Sequence, residues 1–153
     1  MRPVSRVLIV LAAVILLILL SACGTKTAPL APDAPNVVQT VADIELPTHL
    51  QHLPEQTRLS YQLAVVYSEE LSQVPCYCGC GAEHRHVRDC FVRELSNNGA
   101  IVWDRHGSGC GICQGIVLDS VRLLNEGKTI ADVQQYIDQH YSQYAPPTGG
   151  GSG

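Results

Sequence analysis

The chain has 153 residues, 46% of them hydrophobic and only 5% aromatic, with 10 Lys and Arg against 14 Asp and Glu for a formal charge of −4. That length allows one modest domain and excludes a multidomain enzyme or a doubly wound cofactor-binding fold. The acidic balance, with no stripe of Lys or Arg to neutralise phosphates, argues against a nucleic-acid partner.

Much of the apolar content sits at the start. Arg2 and Arg6 precede an unbroken apolar run over residues 7–20, and Leu20-Ser21-Ala22-Cys23 sets a cysteine after small residues. That order predicts a secretory leader over residues 1–22. The cysteine position resembles the lipobox of bacterial lipoproteins, which implies that Cys23 is acylated and begins the mature chain. Membrane lipid is then a partner, each buried methylene contributing about 0.8 kcal/mol. An uncleaved transmembrane anchor is the alternative, for which this run is short beside the roughly 20 residues a bilayer needs. Both arrangements predict a location on the outer face of the cytoplasmic membrane or at another membrane of the cell envelope. Residues 23–54 contain Pro29, Pro32, Pro35, Pro47 and Pro54 without a sustained period, and read as a lipidated, mostly disordered tether.

The folded domain is expected over residues 55–145. Leu59, Leu63, Val66, Tyr67, Leu71 and Val74 recur at helical spacing and predict one helix over 56–74, ended by Pro75. Two short apolar runs, 90–94 and 100–104, flank Ser96-Asn97-Asn98-Gly99, where Asn-Gly favours a tight turn and hence a small hairpin. A second helix is predicted over 110–125, with Ile112, Ile116, Val117, Val121 and Leu124 on its apolar face and Gly127 past its end. Thr129 and Asp132 then form a capping-box-like start to a third helix running to about residue 144, with Ile130, Val133, Ile137 and Tyr141 as its stripe. Residues 146–153, ending in a Gly-rich run, read as a flexible tail. The fold class is mainly α: about three helices, a cysteine-rich loop and a short β-hairpin.

Six of the seven cysteines, Cys76, Cys78, Cys80, Cys90, Cys110 and Cys113, fall within 38 residues. Three chemistries compete for them. An extracytoplasmic compartment permits a disulfide framework, which would make the domain a stapled interaction module. Cys110-Gly-Ile-Cys113 at a helix start suits thiol–disulfide exchange, because a helix N-terminus stabilises a thiolate. Thiolates are also soft ligands for copper(I) or zinc, and three of them on alternate positions in Cys76-Tyr-Cys78-Gly-Cys80 converge only if they meet different partners or share a metal. His86 and His106, each four residues before a cysteine, supply candidate nitrogen ligands. His84 is the weaker candidate, while His49, His52 and His140 lie outside the cluster. Gln114, where a c-type haem site needs histidine, excludes that cofactor. Glu83, Asp89 and Asp104 read as charged loop residues on a solvated face, and no catalytic constellation is evident.

At Pro75-Cys-Tyr-Cys-Gly-Cys80 the chain resembles the bacterial PCYCGC-motif lipoproteins. The likeness continues through Gly81, His86, Cys90-Phe91-Val92, Trp103-Asp104-Arg105-His106, Cys110-Gly-Ile-Cys113, Gly127-Lys128 and residues 136–141. It implies an anchored extracytoplasmic domain and suggests metal handling, without importing a reaction. Glu83, Arg85 and Arg88 make one segment more charged than the family pattern, which leaves the choice between His84 and His86 open. The expected ligand pool is Cys76, Cys78, Cys80, Cys90, Cys110, Cys113, His86 and His106, for binding, buffering or transfer of copper or zinc. Six thiolates exceed the four ligands of one structural zinc, so the count fits two ions, a shared polynuclear copper(I) centre, or one pair of the thiols oxidised. The partner such chemistry implies is a metal transporter or another exported metal-handling protein.

Overall fold

The computed structural model describes residues 41–80, 83–96 and 98–149. The predicted leader, the lipidation cysteine Cys23, most of the tether and the end of the tail lie outside the described residues. Among those described, no helix is long and apolar enough to cross a membrane.

The domain is mainly helical, with one two-stranded antiparallel sheet. In chain order the elements are α1 (Thr48–Gln51), α2 (Glu55–Val66), α3 (Ser68–Leu71), a 3-10 turn (Val87–Cys90), β1 (Val92–Leu95), β2 (Ile101–Trp103), α4 (His106–Gly109), α5 (Gly111–Asn125) and α6 (Ile130–Tyr141). The fold is α5 packed between α2 and α6, with the sheet and the 3-10 turn closing one side. Cys113, Ile116, Val117 and Val121 face inward from α5, and Val133 and Ile137 from α6. Burying one such aliphatic side chain contributes about 1.5–3 kcal/mol.

The two C-terminal helices follow the expected phase. Thr129 Oγ1 accepts from the Asp132 amide at 3.2 Å and Asp132 Oδ2 accepts from the Thr129 amide at 3.0 Å, completing the capping box. α6 ends at Tyr141, three residues short of the predicted Tyr144. Gly127, with φ +79°, takes the left-handed conformation just past α5.

The single helix predicted over 56–74 is instead two. Tyr67, at φ −102° and ψ +32°, breaks it, and its hydroxyl donates to Asn125 Oδ1 at 2.8 Å. The break re-aims the following turn so that Leu71 and Val74 reach the core. The inward stripe of α2 also differs: Thr57, Ser60, Tyr61 and Ala64 are buried with Leu63, whereas Leu59 is 37% exposed. Tyr61 wins the inside because its hydroxyl donates to the Asp104 carbonyl at 2.8 Å and its ring meets Phe91 edge-on at 5.0 Å.

The hairpin forms with Val92 opposite Trp103, Glu94 opposite Val102 and Leu95 opposite Ile101, and an irregularity between Val92 and Glu94. The packed chain extends beyond both edges of the predicted domain. Leu46 and Leu50 join the core upstream of Pro54, and downstream Thr148 is buried. Residues 146–149 are therefore fastened to the domain, contrary to their reading as part of a flexible tail.

Candidate metal centre

Pro75 ends the helical region, and the amide of Val87 donates to the Val74 carbonyl at 2.9 Å, closing the base of the cysteine loop. Within it, Gly79 sits at φ +82°, a conformation that costs residues with a Cβ, and reverses the chain between Cys78 and Cys80. Thr148 holds the loop from outside. Its Oγ1 accepts from the Cys76 amide and its own amide donates to the Cys76 carbonyl, both at 2.8 Å.

Cys90 ends the 3-10 turn, Cys110 immediately precedes α5 and Cys113 lies in its first turn. Gly107 makes the approach to α5 possible, because a Cβ there would fall 2.3 Å from the Phe91 ring. Gln114 Nε2 donates to the Gly107 carbonyl at 2.8 Å and so ties α4 to α5.

Three overlapping groups of donor atoms result, each with its members within 4.8 Å of one another. Cys76, Cys78, Cys90 and Cys113 form an all-sulfur group; Cys78, Cys110, Cys113 and His106 form a mixed one; His84, Cys90 and His106 form a third. Cys78 and Cys113 belong to the first two groups. Cys76, Cys90 and Cys113 are fully buried, and Cys78 and Cys110 partly so. The clustered cysteines can hold a metal ion.

Two expected ligands stand apart. Cys80 Sγ approaches His106 Nδ1 at 3.8 Å but joins none of the groups. His86 is not brought to the sulfurs; its Nδ1 lies 3.4 Å from Asp89 Oδ1, and burial lowers its pKa despite the raising effect of that carboxylate. His84 takes the place expected for His86. It is 2% exposed and its ring centre lies 4.9 Å from that of His106.

Of the loop carboxylates, Glu83 is exposed as expected, but Asp89 and Asp104 do not lie on a solvated face. Asp104, 7% exposed, accepts from the His106 amide at 2.8 Å and from Arg93 Nη2 at 2.6 Å, with His84 Nε2 at 3.6 Å. Burial raises the Asp104 pKa, but the His106 amide and Arg93 outweigh it, and the net shift is downward. Asp89, also 7% exposed, accepts from the Arg85 amide at 3.1 Å and pairs with Arg88 at 3.4 Å. These carboxylates shape the loop that carries His84 and the turn that carries His106.

The thiols share protons unequally. Cys76 and Cys113 Sγ are 3.4 Å apart. Hydrogen bonds from Cys113 and then Cys90 lower the Cys76 pKa to about 3, whereas its hydrogen bond to Cys76 keeps Cys113 protonated. Burial pushes Cys78 up to about 12. The hydrogen bonds among these sulfurs favour the thiolate at Cys76 over Cys113, and the thiols that stay protonated must lose their protons as an ion binds.

Fold and cluster together define a small helical cysteine-rich protein with a thiolate and imidazole site suited to a metal ion. The chain belongs to the family described as protein of unknown function with PCYCGC motif, which matches residues 12–151. No curated protein matches it, and no solved structure does.

Proposed function

We propose that the protein is an extracytoplasmic lipoprotein, anchored through acylated Cys23, that binds copper(I) or zinc in its thiolate cluster for buffering or transfer. The supporting observation is the overlap of two four-ligand groups through Cys78 and Cys113. In this reading one ion takes Cys76, Cys78, Cys90 and Cys113, and a second takes Cys78, Cys113, Cys110 and His106. Soft thiolates select such ions, and bridging sulfurs let two cations share charge that neither would neutralise alone.

A thiol–disulfide exchange role is less well supported, because exchange needs an exposed thiolate. Cys76, the thiol with the lowered pKa, is fully buried, and Cys113 of the Cys-x-x-Cys pair is both buried and held protonated. The anchored location also suits exchange of metal with a transporter or another exported metal-handling protein.

Native mass spectrometry with elemental analysis and thiol counting tests the reading on protein made without added zinc. The expected result is two ions per chain with all six clustered cysteines reduced. Three disulfides and no metal would reject it in favour of a stapled module.

A further inference from the structure

A cavity of about 400 Å³ lies beside the thiolate cluster, lined by Glu83, His84, Arg85, Asp89 and Arg93. His84 is the member of this lining that also belongs to a ligand group. Its Nδ1 is buried without a hydrogen-bond partner, its Nε2 faces only Asp104 Oδ2 at 3.6 Å, beyond hydrogen-bond distance, and Nε2 of His106 is likewise buried and unpaired. Leaving buried polar atoms unpaired costs about 1–3 kcal/mol each, so two adjacent imidazoles in that condition point to a ligand that pairs them. Cys90 Sγ completes the group and also belongs to the all-sulfur group.

We propose that His84, Cys90 and His106 form a three-ligand station through which copper(I) passes between this cavity and the buried thiolates. The inference rests on the metal-binding reading above and adds both the identity of the ion and its route. Two nitrogens and one sulfur make a trigonal donor set of the kind copper accepts without a further ligand, whereas zinc on the same three residues would need a fourth ligand such as water. Sharing supplies the path. Cys90 links the station to the all-sulfur group, and His106 links it to the mixed group. An ion can move inward by exchanging one ligand at a time without becoming free.

At each exchange one bond from copper to a station ligand breaks, to an imidazole nitrogen on the Cys90 branch and to His84 or Cys90 on the His106 branch, and one copper–sulfur bond to an inner cysteine forms, while copper remains in the +1 state. The proton displaced from the incoming thiol passes to the vacated imidazole or to water in the cavity. Glu83 lines the cavity with an exposed carboxylate for an arriving cation, whereas Asp89 is already paired with Arg85 and Arg88. Arg85 is paired with Asp89 and Arg93 with Asp104, so the charge of both arginines is offset.

The test follows copper(I) transfer between the whole protein and a chromophoric copper(I) chelator by stopped flow, for wild type, His84→Asn and His84→Phe. Both variants should keep the wild-type number of tightly held ions while uptake and release slow by about tenfold or more, on the scale of losing a group that supports a metal site. Unchanged rates would overturn the station. So would loss of the tightly held ions from a folded variant, since His84 would then be a permanent ligand, and so would a wild-type protein that takes zinc but refuses copper(I). A wild-type protein that binds neither metal would instead remove the underlying metal-binding reading. Should both variants unfold, ring-nitrogen NMR of wild type decides: the His84 signals must shift when copper(I) is added beyond the capacity of the thiolates, and static signals reject the proposal.

Discussion

Cys113 and Cys110 sit three residues apart at the start of one helix but differ in consequence. Cys113 belongs to both four-ligand groups and Cys110 to one. Cys110→Ser is therefore expected to leave one ion per chain, and Cys113→Ser to weaken both ions by more than the roughly tenfold cost of losing an outer supporting group. Competition with a chelator, read with metal-to-protein ratios, checks this; equal losses in the two variants would contradict a shared Cys113. Tyr61 gives a prediction on the alkaline side. Burial lifts its pKa from 10.0 to about 12, so its folded value lies above its unfolded one. The resulting stability is complete below pH 10 and is lost as pH rises through about 12. Denaturant midpoints of the metal-free protein should fall over that interval, and less steeply in Tyr61→Phe; parallel curves would assign the loss to other groups.

Among the elements, legibility follows how local the determining contacts are. α5 and α6 were readable because apolar spacing, a capping box and a terminal glycine all lie within their own residues. α2 was readable as a helix but not in phase. Its apolar residues surround the helix, so period alone could not decide between Leu59 and Tyr61; the decision came from the Asp104 carbonyl, 43 positions away. The break at Tyr67 likewise depends on Asn125. Cysteine type and spacing announced the site itself. The choice of His84 over His86 did not follow from spacing, because it depends on Asp104, buried and paired with Arg93, facing His84, and on Asp89, buried and paired with Arg85 and Arg88, facing His86. A charged loop resembles a solvated loop until its partners are known.

The cysteine loop is held to the domain by distant chain. Thr148 offers the acceptor for the Cys76 amide across 72 positions. Thr148→Val keeps the side-chain shape but orphans that buried amide, at an expected cost of about 1–3 kcal/mol. Urea unfolding of the metal-free protein checks this, and a midpoint equal to wild type would show that the contact contributes nothing to stability. The same pairing sets an order on biosynthesis. The first cysteine of the motif leaves the ribosome long before its clasp does, so the growing chain carries a half-built cluster with its thiols open to oxidants and stray ions. Completion waits for residue 148, which makes the far end of the domain the timing element for a site encoded near its beginning.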